Sequence, residues 1–189
     1  MTFDDRDIKI FSKNNKDDDT QALLRLAEEM ASQRANGNVR KATELGEKIA
    51  DFIFNIDSID DESVRQLVNS SLVDEKVNYQ IRMLLTFTSE STLHRSLNVA
   101  SLSTIAVNSM YDRLMTLDPD FYEDTTDAFT FYYVALRKAN GVTKSIGKTF
   151  AMLCGDGNNE DYIRIGSGLY LLLGEEVCET IESFNFITD

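Results

Sequence analysis

His94 is the only histidine among the 189 residues. One imidazole leaves a zinc site without its usual second histidine, and leaves only one side chain whose ordinary proton affinity lies near neutrality. The thiols are Cys154 and Cys178, and neither sits in a glycine-rich elbow or a metal-like pair. A Ser–His or Cys–His couple thus has no local support. His94, beside Arg95 at a helix start, reads as a surface or partly buried polar residue. Carboxylates can carry acid–base chemistry unaided, but no spacing singles out a pair. The expectation is no catalytic constellation, no cofactor and no metal.

Two near-motifs fail on spacing. Gly141, Gly147, Lys148 and Thr149 resemble a phosphate-binding loop, but one residue too many separates the glycines for the loop amides to converge on a phosphate. Asp156, Asn158, Glu160 and Asp161 resemble the start of a calcium loop. That loop needs Gly where Asp161 stands and a bidentate Glu where Ser167 stands. Asp118, Asp120 and Asp124 fail similarly, with Phe129 at the last ligand position. Both acidic runs precede helices, where carboxylates and amides cap free N–H groups.

Charge narrows the partners. The net charge is −13. Duplex nucleic acid and anionic membranes both ask for a basic face, so neither is expected. An acidic surface keeps a chain soluble and steers cationic partners toward it. The apolar run at 169–173 is too short to span a bilayer, and residues 1–16 carry no apolar leader core. Two unpaired thiols suit a reducing compartment. The expected location is the cytoplasm.

These residues must be positioned by helices. One Pro and nine Gly leave few obligatory breaks. Leu23, Leu26, Ala27, Met30 and Ala31 repeat with helical period after an acidic start at Asp17, Asp18 and Asp19. Asn36, Gly37 and Asn38 stop that helix. Ala42, Leu45, Ile49, Phe52 and Ile53 mark a second, antiparallel to it. A short helix is expected through Val64, Leu67, Val68 and Leu72. Another opens at Asp74, with Val77, Ile81, Leu84 and Leu85 inward, and is interrupted at Ser89, Glu90 and Ser91. The longest periodic stretch, 92–117, reads as one central helix through Leu93, Leu97, Ala100, Thr104, Val107, Tyr111 and Leu114. Pro119 starts the next helical region. Segment 127–139 is assigned helical despite its aromatic, strand-prone core, with Asn140 and Gly141 as its C-terminal cap. Helices over 143–153 and from 160 to about 184 complete the chain.

Leu23, Leu26, Ala27 and Met30, then Val39, Ala42, Gly46 and Ile49, are similar to one tetratricopeptide hairpin with a longer turn. No second copy follows at a period of about 34 residues, and a solenoid needs several. No family is recognised.

The sequence therefore predicts an all-α fold. A polar N-terminal arm (1–18) precedes one domain (19–189), an irregular bundle of seven to eight helices around the 92–117 helix. Function is expected to be non-enzymatic: a protein-interaction or regulatory module, of which an acidic inhibitor or immunity-type protein for a basic partner is one form. The alternative is an enzyme or small-ligand binder with a carboxylate- and tyrosine-lined cavity between helices. Excess apolar helix surface predicts a homodimer. Its interface would draw on Phe131, Tyr132, Tyr133, Tyr162, Ile165 and Leu172. A basic island of Arg137, Lys138, Lys144 and Lys148 would lie near the partner's acidic C-terminal region.

Overall fold

The structure, a computed structural model, describes residues 15–55, 75–138 and 141–187. The described residues form seven helices and no strand: α1 (Asn15–Ala35), α2 (Asn38–Phe54), α3 (Glu75–Ser96), α4 (Ala100–Leu117), α5 (Pro119–Leu136), α6 (Val142–Leu153) and α7 (Glu160–Ser183). The fold is all-α, as expected. The short helix expected through Val64, Leu67, Val68 and Leu72, and the first fourteen residues of the expected arm, lie outside the described residues.

The centre of the bundle is α3. Residues 83–89 are all buried, almost two full turns with no solvent-facing side. α7 packs along it, and α2, α4, α5 and α6 touch it from other sides. This corrects two sequence expectations. Ser89, Glu90 and Ser91 do not interrupt a helix; they continue α3. The 92–117 stretch is not one helix either, because its first residues end α3 and the chain restarts at Ala100. The break falls at Leu97, Asn98 and Val99. Val99, extended (φ −103°, ψ 111°), precedes α4 without a side-chain cap.

Two helix pairs clasp α3, and glycines set their spacing. α2 packs along α4, and α6 along α7. A Cβ at Gly46 of α2 would overlap the Ala106 carbonyl oxygen of α4 and lie 2.8 Å from the Met110 amide nitrogen. Gly147 meets Ser167 and Ile163 across the second pair, and a Cβ at Gly166 would lie 2.6 Å from the Phe150 Cβ. Gly46 and Gly147 approach backbone atoms of the facing helix and Gly166 the Phe150 side chain, at distances that leave no room for a larger residue.

Turns and caps follow local chemistry. Gly37 adopts the left-handed conformation (φ 83°) between α1 and α2. Gly141 (φ 75°) is also left-handed, but it stands at the N-cap of α6, whereas α5 ends at Arg137. Asp118 accepts from the Phe121 amide to cap α5, and Asn159 accepts from the Asp161 and Tyr162 amides to cap α7. The segment after α7 folds back on α2. Asn38, fully buried, accepts from the Ile187 amide (3.0 Å) and donates to its carbonyl (2.7 Å), pairing with it as a neighbouring strand would.

α1 is the exception to the packing. Its apolar stripe is left largely uncovered: Leu23, Leu24 and Leu26 are exposed. From Asp19 to Ala35, where burial is described, only Gln33 is buried and Met30 half-buried.

The glycine spacing generates a test. On helix propensity alone, Gly→Ala inside a helix stabilises by about 1 kcal/mol. Gly174 of α7 has room for that gain, since an added Cβ would approach nothing closer than 3.9 Å. At Gly46 overpacking against backbone outweighs it, costing about 3 kcal/mol. Thermal unfolding should show Gly46→Ala melting roughly 6–12 °C below the parent and Gly174→Ala slightly above it. Equal stability of Gly46→Ala and the parent would show that α2 and α4 do not approach as described.

Candidate functional site

The polar group with the most structured surroundings lies where buried α3 reaches the surface. Glu90 follows directly on the buried 83–89 stretch and is half-buried. The Tyr111 hydroxyl from α4 donates to its Oε2, and the Tyr133 hydroxyl from α5 donates to its Oε1. One carboxylate thus ties three helices together through charge-assisted hydrogen bonds.

The two phenols open onto a cleft of about 660 Å³ between α4 and α5. Tyr122, Thr125, Phe129 and Tyr133 recur along α5 at helical spacing and form one wall, with Glu123 beside them. Tyr111 forms the other. The rings meet edge to face: Tyr111 and Tyr122 at 5.8 Å, Phe129 and Tyr133 at 6.5 Å. Beneath them Phe87 of α3 stacks on Tyr132 at 4.9 Å and receives the edges of Phe129 and Tyr133. Among the described residues lining the cleft there is no Lys, Arg or His.

The surroundings hold these phenols in their neutral form. Burial, then the hydrogen bond to Glu90 and its negative charge, push Tyr111 and Tyr133 well above the usual tyrosine range. Tyr79, whose hydroxyl donates to Asp124, is raised by burial and by that carboxylate. Tyr132 is raised by burial and then by Cys154, and its buried hydroxyl has no hydrogen-bond partner among the described residues.

The residues singled out for an interface separate into two groups. Tyr132 and Ile165 are fully buried and cannot contribute to one: Tyr132 is stacked on Phe87, and Ile165 belongs to the core that the α7 stripe joins. Phe131 and Tyr133 are exposed, while Tyr162 and Leu172 are half-buried against the core. Arg137, Lys138, Lys144 and Lys148 are all exposed, and Lys144 and Lys148 lie one turn apart on α6. Glu90 was not anticipated. No sequence signal marks a carboxylate whose partners lie 21 and 43 residues away.

The failed motifs have structural uses. Gly147 lies inside α6 at a helix contact, not in a loop. Asp156 accepts from the Asn158 amide in the turn before α7. His94 is exposed and its Nδ1 lies 3.2 Å from the Ser103 Oγ, away from the cleft. Cys154 is buried and Cys178 half-buried. Among the described residues, no three His, Cys, Asp or Glu side chains gather as a metal site requires, and no helix is long and apolar enough to cross a membrane.

The raised phenols predict an alkaline weakness. Unfolded tyrosine ionises near pH ~10. The folded chain holds Tyr79, Tyr111, Tyr132 and Tyr133 neutral beyond that point. Above it the unfolded state binds fewer protons than the native state, so stability is complete below pH ~10 and falls as pH rises toward the folded values. Thermal melts between pH 8 and about 11 should show this fall. Tyr111→Phe combined with Tyr133→Phe should roughly halve its slope, because Tyr79 and Tyr132 remain, whatever the variant's stability at pH 8. An unchanged slope would place the effect elsewhere.

No protein-family model, curated protein or solved structure matches the chain.

Proposed function

We propose that the chain is a non-enzymatic binding module that receives a cationic group of a basic partner in the cleft between α4 and α5. The observation that carries this reading is the convergence of three tyrosine rings and Glu123 on one open cleft, with Glu90 accepting the hydroxyls of two of those tyrosines. Aromatic faces attract cations through their quadrupole, best where water is partly excluded. Glu90 at the hydroxyl ends of two rings and Glu123 in the cleft lining add Coulombic attraction. The net charge of −13 draws a basic partner toward the surface before contact. Binding is favoured over catalysis because the phenols resist ionisation and both Glu90 oxygens are engaged. An acidic inhibitor of a basic protein is one form this module takes.

A second reading is favoured by the cleft's volume, which lies within the range of small-ligand sites. A small organic cation would use the same walls, with Tyr111 and Tyr133 ordering them.

Calorimetric titration with a short Lys- and Arg-rich peptide, and separately with choline, distinguishes the two. The peptide should bind, and more weakly as salt rises. Removing one ring with Tyr122→Ala should weaken binding roughly fivefold, as expected for about 1 kcal/mol of cation–π attraction. Glu123→Gln should weaken it further. Choline binding as tightly as the peptide would support the small-ligand reading. Equal binding of an acidic peptide, or indifference to both substitutions, would defeat both.

A further inference from the structure

We propose that α1 is the surface through which two copies of this chain pair, antiparallel, about a two-fold axis beside Leu26 and Ala27. The starting observation is how little of this 21-residue helix is covered. Leu23, Leu24 and Leu26 are 67%, 59% and 49% exposed, and Ala27 and Ala31 are exposed too. In proteins a helix draws most of its stability from packing an amphipathic face rather than from intrinsic propensity. This one is held to the body at its C-terminal end, by Gln33 and Met30, and by the Ser101 hydroxyl, which donates to Glu29 (2.8 Å).

The same patch carries a groove as well as a ridge. Leu26 and Met30 of α1 and Ala100, Thr104 and Ile105 of α4 line an apolar hollow of about 420 Å³ beside the leucines. A two-fold contact is isologous: one patch must hold both the projecting and the receiving part. Here Leu23 supplies the first and the hollow at Met30 the second.

The charges specify the occupant and its direction. Asp19, Leu23, Leu26, Ala27, Met30 and Arg34 fall on one stripe at helical spacing, apolar in the middle, with an acid at one end and a base at the other. Asp19 and Arg34 are equally far from the midpoint between Leu26 and Ala27, as are Leu23 and Met30. Antiparallel pairing therefore sets each Asp19 against the partner's Arg34 and each Leu23 against the partner's Met30. Parallel pairing sets like charges together. The stripe has one acid and one base, so the chain's overall acidity does not oppose contact there. This surface shares no residue with the α4–α5 cleft and replaces the expected Tyr132 and Ile165 contact, which the core has absorbed.

Sedimentation velocity at micromolar concentration tests it. The parent should sediment as a dimer, at twice the 21.4 kDa chain mass. Leu23→Glu with Ala27→Glu should give a monomer with undiminished helical circular dichroism, since both positions are exposed. Asp19→Arg should weaken dimerisation roughly tenfold, because symmetry counts the pair twice. Adding Arg34→Asp should restore it. A monomeric parent, a dimer that survives Leu23→Glu with Ala27→Glu, or a charge exchange that fails to restore pairing would overturn the proposal. So would a dimer dissociated by Tyr133→Glu and indifferent to α1.

Discussion

Everything in this fold depends on a helix that is buried on all sides yet carries hydroxyls. A helix through the centre of a bundle cannot send polar side chains to water, and an unpaired buried hydroxyl is costly. α3 answers this locally. Thr86 and Thr88 donate to the carbonyls of Arg82 and Leu84, one turn back on their own helix. These hydroxyls ask nothing of neighbouring helices, which can present apolar faces from several directions. Ser89 is different: its buried hydroxyl finds no partner among the described residues. One residue later the helix has one half-exposed side, and there a full charge becomes tolerable. Glu90 marks that exit, which is why α4 and α5, passing on either side, can each reach it with a phenol.

Glycine contacts determine where those two helices pass. Gly46 sits against Ala106 and Met110 of α4, and the next residue is Tyr111. A methyl group at Gly46 would push α4 away from α2 at the level of the cleft. A phenol hydrogen bond tolerates only a few tenths of an ångström before it weakens. The spacing of the α2–α4 pair is thus coupled to the Tyr111–Glu90 bond, although Gly46 touches no cleft residue. Gly147 and Gly166 set the α6–α7 spacing in the same way, and α7 in turn packs along α3. The position of α4 at the cleft is thus set from the far side of the α2–α4 pair.

The sequence displayed this fold where helices are amphipathic and concealed it where they are not. α2 was legible because Ala42, Leu45, Ile49 and Ile53 form one buried stripe. α3 was misread because burial on all sides erases the period: with residues 83–89 all inside, Ser89, Glu90 and Ser91 looked like a polar break. The true break at 97–99 has no Gly or Pro and keeps Leu97 buried, so the apolar rhythm runs across it unbroken. α1 shows the converse case, in which a plain amphipathic pattern marks a face that the rest of the chain leaves exposed. Periodicity says that a face will be covered, not by what. The candidate site was half legible. Tyr122, Phe129 and Tyr133 share a face that their spacing on α5 reveals. Glu90 became visible only once three helices were in place.

Once the helices are in place, hydrogen bonding and ring electrostatics reinforce each other in the cleft. A phenol that donates to a carboxylate is polarised toward its ionised form without losing its proton. Its ring gains electron density, and the face it presents becomes more attractive to a cation. Tyr111 and Tyr133 make this donation to the same Glu90, so both walls are polarised by one charge. The arrangement also fixes both rings before anything arrives, which removes the ordering cost that mobile side chains would add to binding. A free carboxylate at the same place would attract a cation more strongly at short range, but would have to shed its water to do so. With both Glu90 oxygens already engaged by phenols, part of that desolvation has occurred on folding, and on the proposed reading a cation would meet ring faces polarised by the carboxylate rather than the carboxylate itself.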